Sequence, residues 1–119
     1  MIVEMDKILT VTEYINLLND KFAGYKAKIV GEVFGFKEWQ PSGHAYFSLK
    51  DENDESILSC VMWKSNYALS GIRLEDGMKI IANGRPNIYN RDGRLKFIVD
   101  SIELVGEGAL KKHYDELKM

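Results

Sequence analysis

Asp51, Glu52, Asp54 and Glu55 stand together with no base among them, a carboxylate cluster of the kind that holds a hard cation. The run lacks both the glycine and the distal glutamate of a calcium loop, so a solvated turn accounts for it better. His44 and His113 are the only histidines, and neither stands at a zinc-ligand spacing from Cys60. Cys60 itself sits in an alternating apolar stretch, where a cysteine usually acts as a small buried hydrophobe. With no G-x-S-x-G elbow and no phosphate-binding glycine loop, these residues promise no active site and no cofactor in this chain. A second chemistry is better represented. Lys37, Trp39, His44, Tyr46, Ser48 and Lys50 form one group, and Arg85, Asn87, Tyr89, Arg91, Arg94 and Lys96 form another. Cations interleaved with aromatic rings suit a strand of nucleic acid, which is held by its phosphates and stacked through its bases.

The net charge of -2 argues against such a partner until its distribution is considered. Residues 79–96 carry Lys79, Arg85, Arg91, Arg94 and Lys96 against Asp92, a local +4, whereas residues 51–58 carry four acids and no base, a local -4. Charges act over a Debye length of about 8 to 10 Å, so a basic strip attracts phosphate even on an acidic protein.

With 119 residues, 45% of them hydrophobic and 29% charged, the chain has the composition of one globular domain. Its longest apolar run is Cys60-Val61-Met62-Trp63, far short of the roughly 20 residues that cross a bilayer. The first ten residues carry Glu4, Asp6 and Lys7, which is not the pattern of a secretory signal. A single cysteine then points to the cytoplasm and to a fold without disulfides.

The elements that must carry the two groups follow from periodicity. Thr10 and Glu13 stand in capping-box spacing, and Ile15, Leu18 and Phe22 recur at helical intervals, predicting a helix over 12–21. From Tyr25 the period becomes two, with Ala27, Ile29, Gly31 and Val33 on one face and Lys28, Val30, Glu32 and Phe34 on the other. Gly31 and Gly35 suit a long strand bent around a barrel. A second strand alternates Ala45, Phe47 and Leu49 against Tyr46, Ser48 and Lys50, and a third is predicted from Ile57 to Trp63. The segment from Lys64 to Leu74 connects to a fourth strand restarting at Gly77, in which Pro86, lacking a ladder donor, predicts a break. Asn90-Arg91-Asp92-Gly93 is a hairpin turn leading to a fifth strand from about Leu95 to Leu104.

Five strands with a helical connection between the third and fourth predict an all-β, five-stranded OB-fold Greek-key barrel with a short N-terminal helix and the start of a C-terminal one. An SH3-like barrel is the alternative, but it gives no role to the connection after strand three. The predicted organisation is a helical segment over 1–22, a barrel over 23–106, and a helix over 107–119 signalled by Leu110, Tyr114 and Leu117. That last helix either packs on its own barrel or leads into a further domain. In such a barrel the binding face is made by strands two and three with the one-two and four-five connections. It collects Tyr46, Ser48 and Lys50 from strand two, His44 just before it, Lys37 and Trp39 from the first connection, and the six residues from Arg85 to Lys96. Trp39 and Tyr89 serve equally to cover the barrel ends, and Phe34 and Phe36 either stack bases or pack under the N-terminal helix. Trp63 is expected to pack in the core or the connection.

The blocks Gly43-His44-Ala45-Tyr46-Phe47-Ser48-Leu49-Lys50-Asp51-Glu52, Cys60-Val61-Met62-Trp63-Lys64, Glu75-Asp76-Gly77 and Gly106-Glu107-Gly108-Ala109-Leu110 resemble, in this order, the N-terminal domain of the exodeoxyribonuclease VII large subunit. Val11-Thr12-Glu13-Tyr14-Ile15 and Gly31-Glu32-Val33 extend the resemblance over nearly the whole chain. Departures are Phe34-Gly35 where the family commonly has Ser-Asn, Pro86 where it has an aliphatic residue, and Leu95 where it often has tyrosine. The resemblance implies a domain that binds single-stranded DNA for a nuclease domain C-terminal to it. It also implies a bacterial parent enzyme that leaves room for magnesium and assembles with a small helical subunit through the part beyond this chain. Two other readings stand beside it: an RNA-binding barrel of the anticodon-recognition type and a protein-interaction barrel.

Overall fold

The computed structural model describes residues 7–106. Helix α1, Val11–Phe22, begins with the capping box that its sequence predicts: the Glu13 N–H donates to the Thr10 hydroxyl at 3.1 Å, and the Thr10 N–H donates to the Glu13 carboxylate at 2.9 Å. Five strands follow, β1 Ala27–Glu38, β2 Ala45–Lys50, β3 Ile57–Met62, β4 Lys79–Ile88 and β5 Leu95–Leu104, with α2, Lys64–Ser70, between β3 and β4. They close into a barrel in the order β1-β2-β3-β5-β4. β1 is long enough to serve twice, pairing residues 27–32 with β4 and residues 32–38 with β2. Closure is completed by a short parallel contact, Cys60 with Phe97 and Val61 with Ile98. This is the OB-fold barrel expected. The proposed C-terminal helix lies outside the described residues.

The interior is filled by the inward residues of every strand: Val33, Ala45, Phe47, Leu49, Cys60, Met62, Ile80, Ala82, Phe97, Val99 and Ile102, with Leu74 closing in from the segment after α2. Each large side chain so buried contributes about 1.5 to 3 kcal/mol. Tyr67 of α2 reaches toward the same end, and its hydroxyl accepts the Leu74 N–H at 2.9 Å.

Two irregularities differ from the predicted strands, and both matter for the outer face. In β1 the register shifts between Phe34 and Lys37, where Gly35 adopts φ +64°. Plain alternation puts Phe34 and Phe36 on one face. The bulge instead turns Phe36 toward the core, 5.9 Å from the Tyr67 ring, and brings Lys37 to the outside, within the strand rather than in the connection. In β4 the ladder is not broken at Pro86, which pairs with Phe97. The shift falls between Asn83 and Gly84, leaving Asp100 of β5 as the extra residue. Glycine is required there because a Cβ would run into the Ile98 carbonyl. Pro86 is tolerated because β1 stops pairing at Gly84, so its missing N–H faces an edge with no strand beside it. Strand β3 ends one residue earlier than predicted, as Trp63 becomes the N-cap of α2.

Among the described residues no helix is long and apolar enough to cross a membrane.

Candidate nucleic-acid interface

Directly paired residues in a sheet share a face, so the registers can be followed around the barrel. Lys37 pairs with Tyr46, Tyr46 with Val61, Val61 with Ile98, and Ile98 with Arg85. This single outward row crosses all five strands, with a cation at each end, an aromatic ring beside Lys37, and two aliphatic side chains between the ring and Arg85. Val61 and Ile98 are buried although they lie outside the interior cluster. The middle of the row is therefore covered, and its accessible groups are those of Lys37, Tyr46 and Arg85. One step along, Phe34 pairs with Ser48 and Ser48 with Ser59, while Asn87 pairs with Lys96.

The hairpin between β4 and β5 extends this face. The Tyr89 N–H donates to the Arg94 carbonyl at 3.1 Å and the Gly93 N–H to the Tyr89 carbonyl at 2.8 Å, while Asp92 accepts the Arg94 N–H at 2.9 Å. Arg91 and Arg94 are exposed at its tip. The Lys96 ammonium lies 5.6 Å from the centroid of the Tyr89 ring, a cation–π contact that fixes both groups. Burial, then the neighbouring Tyr46 and Asp92, push the Tyr89 phenol above its ordinary range. Tyr89 thus keeps its proton at neutral pH and can donate to a phosphate oxygen.

The structure thus gathers Lys37, Tyr46, Ser48, Arg85, Asn87, Tyr89 and Lys96 on one face, with Arg91 and Arg94 at its border. Trp39 stands at the base of the β1–β2 connection, its N–H donating to the His44 carbonyl at 2.9 Å, and is 57% exposed. Lys50 lies at the far end of β2 beside Glu32 and the acidic turn. His44 makes structural contacts: its Nδ1 accepts the Lys64 N–H at 2.9 Å and its ring meets Trp63 edge-on at 4.9 Å, so it ties the β1–β2 connection to the start of α2. The basic strip is also reduced, since Lys79 pairs with Glu52 at 2.6 Å and Arg85 with Asp100 at 3.5 Å. Among the described residues no ion pair engages Lys37, Arg91, Arg94 or Lys96. Asp51 and Asp54 accept N–H groups of their own turn, from Asn53 and Glu55, and no three potential metal ligands converge among the described residues.

Sequence reasoning did not single out Val61 and Ile98, although the run Cys60-Val61-Met62 signals a strand covered on both faces. Nor did it anticipate a cleft of about 640 Å³ between β1 and α2, lined by Phe36, Lys64, Tyr67, Arg73, Leu74 and Glu75 among others. Its walls mix acids with bases and carry no such row.

Residues 7–103 match the family of OB-fold nucleic acid binding domains. The chain is 43% identical over 118 residues to the exodeoxyribonuclease 7 large subunit of Clostridium tetani, covering 94% of this chain and 28% of the relative. It is 37% identical over 118 residues to that of Pediococcus pentosaceus, covering 96% and 26%. It therefore spans about a quarter of the length of these curated relatives. Among solved structures it resembles Rim1, a mitochondrial single-stranded DNA binding protein from S. cerevisiae, with a TM-score of 0.51 and 16% identity over 67% of this chain and 91% of that one.

Proposed function

We propose, since the chain belongs to the family of OB-fold nucleic acid binding domains, that it binds single-stranded DNA without strong base preference along the outer row from Lys37 to Arg85. That row carries the reading. Its geometry offers the ring of Tyr46 as a stacking platform and cations at both ends for the phosphates. Tyr89, Lys96, Arg91 and Arg94 continue the path along the hairpin, and Trp39 offers a further ring beyond Lys37. The similarity to exodeoxyribonuclease 7 large subunits supports a role in presenting the strand to a nuclease active site elsewhere in a longer polypeptide. In this reading magnesium and the small helical subunit engage those other parts, and the enzyme works in the cytoplasm.

The test is a titration of labelled oligo-dT, and of the matching RNA, at two salt concentrations. About 3 to 5 neutralised phosphates, each contributing a slope of roughly -0.7, give a log–log salt slope of about -2 to -3.5. DNA binding with that slope supports the reading. Binding indifferent to salt overturns the phosphate role of the row, and tighter binding of the RNA moves the partner to a strand read through its 2′-hydroxyls.

A further inference from the structure

We infer that Asn19 of α1 is a positioning residue for the β4–β5 hairpin, standing in for a missing strand at the open edge of β4 and so setting the aim of Tyr89 toward the strand. The inference rests on the reading of the outer face as a single-stranded DNA surface. Past Gly84, β4 has no neighbour on the side that β1 occupies lower down. Because the Tyr89 N–H donates to the Arg94 carbonyl across the hairpin, alternation turns the backbone of residues 86 and 88 to the side without a strand. Pro86 has no N–H to satisfy. Ile88 has both groups, and Asn19 meets both: its Oδ1 accepts the Ile88 N–H at 2.7 Å, and its Nδ2 donates to the Ile88 carbonyl at 2.9 Å.

A planar carboxamide presents one acceptor and one donor side by side, as a strand residue does, and only one orientation of the amide fits both partners. Asparagine is a poor residue inside a helix, so its place one turn before the end of α1 is explained by this bond pair rather than by the helix. The tie is also the side-chain hydrogen-bond link between α1 and the end of β4. No residue of α1 is buried, and an open space of about 210 Å³, lined by Asn19, Asn87, Ile88, Tyr89, Asn90 and Arg91, lies between helix and hairpin. Ile88 immediately precedes Tyr89. Fixing its peptide groups fixes the ring that Lys96 adjoins.

Asn19→Ala removes both bonds, and Asn19→Asp keeps the acceptor but sets a second oxygen against the Ile88 carbonyl. Oligo-dT affinity, thermal unfolding and exchange of the Ile88 amide are measured for each, and for Asn19→Ala in a Tyr89→Ala background. The expected result is a loss of about three- to tenfold in affinity for Asn19→Ala, at least as large a loss for Asn19→Asp, faster Ile88 exchange in Asn19→Ala, and a much reduced effect of Asn19→Ala once Tyr89 is gone. A purely structural role would lower the unfolding temperature and weaken binding equally in both backgrounds, which overturns the inference. So does unchanged affinity with a freely exchanging Ile88 amide. If Asn19→Ala does not fold, Asn19→Asp carries the comparison, and its full affinity would count against the clamp. Should the parent chain itself not bind oligo-dT, the reading of the outer face fails, and protection of Ile88 that disappears in Asn19→Ala alone still establishes the tie to the hairpin.

Discussion

Tyr46 and Phe47 are neighbours in β2 with opposite duties, one half-buried on the outer row and the other sealed in the core. Tyr46→Ala should weaken single-stranded DNA binding by about 1 to 3 kcal/mol with little change in thermal unfolding, because stacking on one ring is worth that much. Phe47→Ala should instead cost about 3 to 5 kcal/mol of stability through the cavity it leaves. Titration and thermal melts of the two variants check the pair. Both duties were legible in the sequence, since Ala45, Phe47 and Leu49 already fill the inward positions. The small-hydrophobe role of Cys60 was legible too. Burial pushes its thiol up to about 12, so almost no thiolate forms at neutral pH. A disulfide-exchange reagent should therefore label Cys60 only as fast as the domain opens, and labelling of the native protein at the rate of an exposed thiol would contradict its place in the core. His44 was not legible in this way. A histidine before a strand looks the same in sequence whether it faces a ligand or a helix start, and only folding brings Lys64 and Trp63 to it.

At the scale of elements, the strands follow from alternation, and the capping box of α1 is visible in its own spacing. The Glu13 carboxyl is held below its ordinary range, chiefly by the Thr10 N–H and then by the Thr10 hydroxyl. A depressed carboxylate contributes its stability above its unfolded value and loses it as the pH falls through the folded one. The helical circular dichroism of α1 should accordingly decline in acid below the usual carboxylate range, and Glu13→Ala should remove that part of the pH dependence. The irregularities were harder to read. Pro86 looked like the break in β4 because proline lacks a donor, yet a donor is missed only where an acceptor waits, and β1 has already ended. Gly84 was simply one member of an alternating set, and its necessity comes from the Ile98 backbone across the ladder, a long-range contact no local pattern encodes. Gly84→Ala should destabilise the domain by about 1 to 3 kcal/mol or more, measured by denaturant unfolding, since the obstacle is backbone and cannot turn aside. The shift at Gly35 likewise reverses the faces of Phe36 and Lys37, and it is this shift that brings Lys37 onto the outer face from within β1.

For the molecule as a whole, charge is sorted rather than abundant. A net -2 is compatible with a DNA surface because Glu52 reaches across to Lys79, keeping the acidic turn at one end of the barrel, while Lys37, Arg91, Arg94 and Lys96 remain around Tyr46 and Tyr89. The barrel itself could be inferred from five strand patterns and one helical connection. The continuous row across it could not, because it depends on registers that two bulges adjust. The cleft beside α2 is the competing location, open and aromatic at Phe36 and Tyr67, with mixed charge. The direct discriminator is a nuclear magnetic resonance titration of the isotope-labelled chain with oligo-dT at low salt. Amide shifts should move together at Lys37, Tyr46, Val61, Ile98, Arg85 and along 89–96, while those of Tyr67, Ala68 and Arg73 stay in place. Shifts concentrated around the α2 cleft, with the row from Lys37 to Arg85 unmoved, would contradict the assignment of the outer face as the binding surface.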